Sequence, residues 1–103
     1  MLSLNGIEGF DWDIGNIHKI NSKHGVTELE VEEIFFNALF LQPDLKHSLL
    51  EERVKAYGMT DNHRHLVVIF TIRHNKLRPI SARNMNSKER GFYNAKIKED
   101  SEI

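Results

Sequence analysis

Leu66-Val67-Val68-Ile69-Phe70-Thr71-Ile72 is the stretch that decides how this chain folds. Its residues are apolar at both odd and even positions, so a strand built from them has two faces to bury and belongs in the middle of a sheet. On either side, the runs 38–42, 53–59 and 77–83 alternate more and are separated by turn residues, which makes them its neighbours. The links at 60–64 and at His74-Asn75 are short enough to be hairpins, so the pairing is antiparallel. Pro79 has no backbone donor, which predicts an edge position or a bulge in the last strand.

Helix signals flank this sheet. Asp13 is placed as an N-cap with Trp12 and Ile17 around it as a hydrophobic staple, predicting a helix over 14–23 that Gly25 ends as a C-cap. Thr27 and Glu30 form a capping box with Val26 and Val31 as its staple. The second helix then stops near Phe36-Asn37, with Val31, Ile34 and Phe35 inward and Glu28, Glu32 and Glu33 outward. Asn86 and Glu89 open a third helix, packed through Phe92, Tyr93 and Ile97. With a short strand at 7–11 ahead of them, these elements predict an α+β fold. It has a four-stranded antiparallel sheet, two N-terminal helices and a C-terminal helix that cover part of the sheet.

With 103 residues, 40% of them hydrophobic, the chain reads as one domain over 1–103 with a core of its own. The absence of Cys excludes disulfides, thiolate metal sites and cysteine nucleophiles. The longest apolar runs, 66–70 and 34–36, are far shorter than the roughly 20 residues that cross a bilayer. The opening Met1-Leu2-Ser3-Leu4-Asn5-Gly6 has neither the charge nor the apolar length of a secretory leader, so the chain reads as cytoplasmic. A formal charge of -1 hides a segregation: residues 1–72 carry 6 Lys and Arg against 11 Asp and Glu, residues 73–98 carry 8 against 1, and 99–103 add three acids. A basic segment of that kind, folded onto one face, holds polyanions such as RNA; dispersed, it is a solvated surface.

Several pieces in order carry a resemblance: Phe10-Asp11-Trp12-Asp13, Lys23-His24-Gly25-Val26, Glu51-Glu52-Arg53, Gly58, Ile80-Ser81-Ala82-Arg83, Glu89-Arg90 and Tyr93. Over roughly 7–98 their order and spacing are similar to those of the BrnT family of bacterial type II toxins. Asn16 departs from the Lys that many members carry in the first helix. The resemblance implies a RelE-like fold and an endoribonuclease that inhibits translation. It also implies a ribbon-helix-helix antitoxin, BrnA, as the neutralising partner in a toxin–antitoxin heterotetramer.

RNA cleavage without a metal needs a base for the 2′-OH, cations for the charge gathering on phosphorus and an acid for the leaving 5′ oxygen. His24 is of the one type that exchanges protons near neutral pH, so it is a candidate base or acid. Lys23 beside it is a candidate cation, although both also sit where positive charge complements a helix C-terminus. Arg83, at the end of the last strand, is the first choice for gripping the scissile phosphate; its alternative is an ion pair with Glu89 or Glu52. Arg53 divides in the same way between phosphate and its neighbours Glu51 and Glu52, themselves either a carboxylate base or solvated acids. Tyr93 either offers a phenol proton and a stacking face or, by its spacing from Ile97, belongs to the core.

Arg73, Lys76, Arg78, Lys88 and Arg90 are expected to hold the RNA backbone without reading sequence. His63, His65 and His74 do not match a metal-ligand spacing and read as surface turns; no metal or cofactor is expected. Two other classes use the same residues: a nucleic-acid or protein-binding module that cleaves nothing, and a degenerate toxin kept as a corepressor. Convergence of Lys23, His24, Arg53 and Arg83 on one cleft favours the enzyme, and their scatter favours the binder.

Overall fold

The computed structural model describes residues 4–47 and 50–101. The first three residues of the stretch read as lacking a leader lie outside it. The elements run α1 (Ile14–His24), α2 (Glu28–Ile34), β1 (Leu39–Pro43), a 3-10 turn at Leu45–His47, β2 (Val54–Met59), β3 (His65–Arg73), β4 (Lys76–Asn84) and α3 (Ser87–Ser101). The strands form an antiparallel meander in the order β1-β2-β3-β4, so β3 is interior as its two apolar faces require. Leu66, Val68 and Phe70 point to one side, where they pack with Ile20, Val26, Val31 and Ile34 of the two N-terminal helices and their connection. Val67 and Ile69 point to the other, toward Tyr93 and Ile97 of α3. Helices therefore lie on both faces, and on the α3 face the sheet stays partly open beyond Val67, where Ile69 is only half-buried.

The caps explain where the helices begin and end. Asp13 accepts from the backbone N–H of Asn16 at 3.0 Å, and the Asn16 side chain accepts from the N–H of Asp13 at 2.8 Å, closing a capping box. Asn16 is buried, and its amide also donates to the carbonyls of Asp11 and Pro79, which fastens α1 to β4. Gly25 ends α1 with φ 62°, the left-handed conformation that glycine adopts without a side-chain clash. The expected Thr27–Glu30 box is present, but α2 stops at Ile34, with Phe35 as its C-cap, two to three residues before the expected end. A capping box between Asn86 and Glu89 opens α3.

β4 lies at the sheet edge and carries a bulge: Ile69 pairs with Ser81 and Phe70 with Pro79, so Ile80 is the extra residue. The expected strand at 7–11 is reduced to one parallel bridge, Phe10 to Leu77, along β4's outer edge. His74 and Asn75 both have positive φ, the backbone of a tight hairpin turn whose twist matches the strands it joins. Phe92, expected as a packing residue of α3, remains 39% exposed and meets Phe40 and Tyr57 edge-on. No helix among the described residues is long and apolar enough to cross a membrane.

Candidate functional site

Between α1 and the open sheet face runs a groove made of three adjoining hollows. One, of about 210 Å³, is lined by Lys19, Lys23, His24, Ser81 and Arg83. The next, about 300 Å³, has Lys19, Lys23, Asp44, Arg53, Ile69 and Ser81 around it. The third, about 230 Å³, is lined by Lys19, Arg53, Arg73, Arg78 and Ile80. Local structure accounts for the convergence. Lys19 and Lys23 are four apart and share one face of α1, which packs along β4. On the sheet, the alternation that buries Leu77 and Ala82 turns Arg78 and Arg83 to the open side, and the bulge brings Ile80 into the groove wall.

The four residues expected in one cleft thus line two adjoining hollows: Lys23, His24 and Arg83 one, Lys23 and Arg53 the other. Arg83 also makes the expected alternative contact, a bidentate pair with Glu89 at 2.7 and 2.9 Å. Hydrogen bonding to Arg83 holds the Glu89 carboxyl below its ordinary value, and the same bonds raise Arg83. Glu51 is engaged at two points by Arg73, at 2.8 and 3.1 Å, and lies 4.0 Å from Arg53; the Arg73 bonds hold its carboxyl down. Glu52 is exposed and gives its backbone carbonyl to the Thr71 hydroxyl.

Tyr93 takes the core alternative. It is 1% exposed and its hydroxyl donates to the carbonyl of Ala38 at 2.6 Å, so neither its ring face nor its proton is offered to a ligand. Burial raises its phenol. The basic segment 73–98 does not fold into one patch. Arg73 and Arg78 join the groove, steadied by Glu51 and by Asp11 and Asp13 respectively. Lys76 sits at the β3–β4 turn, and Lys88 and Arg90 lie beyond the other end of β4, roughly 25 Å away at strand rise. Arg90 is occupied in part with Met85 and Ser87 at the start of α3. His63 and His74 stand in turns and His65 lies edge-on to Tyr93; among the described residues no three His, Asp or Glu gather as a metal-binding group.

Four residues near the site were not singled out from the sequence. Lys19 borders every hollow, and its signal was present: it precedes Lys23 by one helical turn. Lys55 and Tyr57 follow Arg53 at two-residue steps, the spacing of a single strand face, and Tyr57 is raised by burial and then by Glu89. Arg64 had no local signal. From the β2–β3 turn its guanidinium donates to the carbonyls of His24 and Gly25 at 3.1 Å each, to Glu30 at 3.0 and 3.1 Å and to Asn84 Oδ1 at 2.7 Å. It therefore ties the end of α1, which carries Lys23 and His24, to the end of β4, which carries Arg83.

Cationic walls and an imidazole at one end of a groove are features with which a protein can grip a polyanionic chain and bring a proton-transfer group to it. A model of the ribonuclease toxin BrnT of type II toxin-antitoxin systems matches residues 12–89, and the chain belongs to that family. It is a ribonuclease toxin whose system includes an antitoxin partner. Among curated proteins, no significant match to the chain is found.

Proposed function

We propose that this chain cleaves RNA without a metal, in the groove between α1 and the open sheet face, and thereby inhibits translation. The observation that carries the reading is the convergence of Lys23, His24 and Arg83 on one hollow with Arg53 in the next. In the reaction the 2′ oxygen bonds to phosphorus as the bond to the 5′ oxygen breaks. The products are a 2′,3′-cyclic phosphate and a 5′-hydroxyl. His24 takes the 2′ proton or supplies the proton of the leaving oxygen, and solvent water completes the other transfer. Lys23, Arg53 and Arg83 stabilise the charge that gathers on the phosphate oxygens, a contribution typically worth on the order of 100-fold in rate for one preorganised donor. Arg73 and Arg78 hold the flanking backbone. The partner is a BrnA-like ribbon-helix-helix antitoxin that silences the toxin by covering the groove.

Expression of the chain in bacteria, with growth and RNA integrity followed beside an Arg83→Ala variant, tests this. Growth arrest and RNA fragments with cyclic-phosphate ends in the parent, both lost in the folded variant, are expected. Full ribonuclease activity in Arg83→Ala rejects the assignment of that residue. Binding of RNA by the parent without cleavage favours the corepressor-like module.

A further inference from the structure

Lys19 lies in the middle of α1 and lines all three hollows of the groove. It is exposed on the helix surface. The helix dipole, which rewards positive charge in the last turn, accounts for Lys23 and His24 but not for a residue more than a turn further back. Its neighbour on the same helix face is Lys23, and like charges four apart repel. Among the described residues neither lysine takes part in an ion pair. Water solvates both exposed side chains and Asp44 shares one hollow with them, so the helix face they form is left able to take up an anion.

The hollow beyond Lys19 shows which anion. Its lining carries Lys19, Arg53, Arg73 and Arg78 and no carboxylate. Acids engage its arginines all the same: Arg78 lies 2.9 Å from Asp13 and 3.4 Å from Asp11, and Arg73 is bidentate to Glu51. Such pairing restrains a guanidinium while leaving further N–H groups for a ligand. Asn16, whose amide occupies the Pro79 carbonyl, keeps one backbone acceptor in the wall from facing an incoming anion alone. From Lys23 back to Lys19 is a rise of about 6 Å along the helix, the scale of one nucleotide step in an extended strand.

We propose that this hollow is a subsite for the phosphate next to the scissile one, with Lys19 bridging the two. RNA then runs along α1, the scissile phosphate at Lys23, His24 and Arg83, the adjacent phosphate at Lys19, Arg73 and Arg78, and Arg53, which lines the middle hollow and the third, reaching the scissile phosphate from the middle one. The ligand class is a ribose-phosphate chain with at least two consecutive phosphodiesters. The proposal rests on the reading that the groove cleaves RNA, and it adds a length requirement that the cleavage chemistry alone does not impose.

The test compares two substrates of the preferred cleavage step, mapped first on a transcript: the dinucleoside monophosphate, with only the scissile phosphate, and a hexanucleotide centred on it. Lys19→Ala should raise KM for the hexanucleotide about tenfold, as expected for one lost charge-assisted contact, and raise that of the dinucleotide far less, since only the hexanucleotide fills the second subsite. Lys19→Arg should restore the hexanucleotide value. A methylphosphonate at one flanking position should reproduce the loss in the parent and add little in Lys19→Ala, because both remove the same contact. A 2′-O-methyl hexanucleotide, which binds but cannot be cleaved, should lose affinity to the same degree. Equal loss on both substrates, or none on either, overturns the subsite while leaving the cleavage reading standing. A parent that binds the 2′-O-methyl strand with the predicted Lys19 dependence but cleaves nothing keeps the subsite and removes the reaction. Binding without that dependence removes the subsite.

Discussion

Arg83 and Glu89 face each other through two parallel hydrogen bonds of 2.7 and 2.9 Å, joining the end of β4 to the first turn of α3. The same carboxylate accepts from the Asn86 N–H at 3.0 Å, so one side chain both caps α3 and orients the guanidinium at the groove. Replacing it separates these roles. Glu89→Gln keeps an oxygen for the Asn86 N–H but loses the charge, so it should destabilise the fold by about 1 kcal/mol or less, the value of a partly exposed pair. RNA affinity should hold or rise because a negative charge leaves the groove's edge. Arg83 and the Asn86 bond also depress the Glu89 carboxyl against the opposing effect of burial, from an ordinary value of 4.5. Its contribution to stability is thus fully present above about pH 4.5 and is lost as pH falls through the lower folded value. Urea midpoints taken between about pH 6 and pH 3 should fall less steeply in Glu89→Gln than in the parent. Identical slopes would remove Glu89 from the acid transition.

Loss of Arg64 should reach both sides of the hollow lined by Lys23, His24 and Arg83 at once. Arg64→Ala strips hydrogen bonds from His24, Gly25, Glu30 and Asn84, and with charged partners among them the cost should be about 2 kcal/mol. Under conditions where the variant is still folded, kcat should drop at least about tenfold through misplacement of His24 and Arg83. KM should change far less, because Arg64 is not placed on the RNA. Arg64→Lys keeps the charge but not the fork and should not recover kcat. A normal kcat in a destabilised Arg64→Ala would confine the residue to stability.

The contrast between Arg64 and Lys19 shows what the sequence could and could not disclose. Caps, hairpins and the interior strand were legible because their causes lie within a few residues: Asp13 with Asn16, Thr27 with Glu30, and the two-faced run ending at Ile72. The clustering of Lys23 and His24 with Arg83 was reached through the family resemblance, and period-four spacing would have added Lys19. Which of two partners an arginine takes is a different question. Arg83 reaches Glu89 six positions on, whereas Arg64 reaches His24 forty positions back, and nothing in the polar turn around Arg64 points there. Charge counts misled for the same reason. The segment 73–98 is basic in sequence, but β4 separates Lys76 from Lys88 and Arg90, while the groove borrows Lys19 and Lys23 from the acidic half.

Gly58 marks a place where sheet and helix touch too closely for a side chain. A Cβ built on it would stand 2.8 Å from the Cβ of Ile34 and 3.3 Å from its carbonyl oxygen, and neither atom is the end of a flexible chain. Gly58→Ala should therefore push α2 off β2 and cost about 1–3 kcal/mol, the range for overpacking a core. Ala would otherwise stiffen the unfolded chain and be mildly favourable, so the sign of the measured change decides. A thermal midpoint at or above the parent's would show that α2 yields at no cost.

An antitoxin that silences the enzyme by covering the groove must meet Lys19, Lys23, Arg53, Arg73, Arg78 and Arg83, and its contact there should be acidic or amphipathic. Charges that meet at an interface rim govern the rate of encounter, and at physiological salt they act over only about 8 Å. The association rate should then fall as salt rises from low to physiological concentration, while the dissociation rate, set by apolar anchoring, changes much less. RNA and antitoxin should also exclude one another. A 2′-O-methyl oligonucleotide at saturating concentration should slow antitoxin capture, and Lys19→Ala with Lys23→Ala should weaken both ligands together. Simultaneous binding of antitoxin and oligonucleotide, with neither affecting the other, would place the antitoxin elsewhere on the toxin and require that it inhibit by distortion rather than by cover.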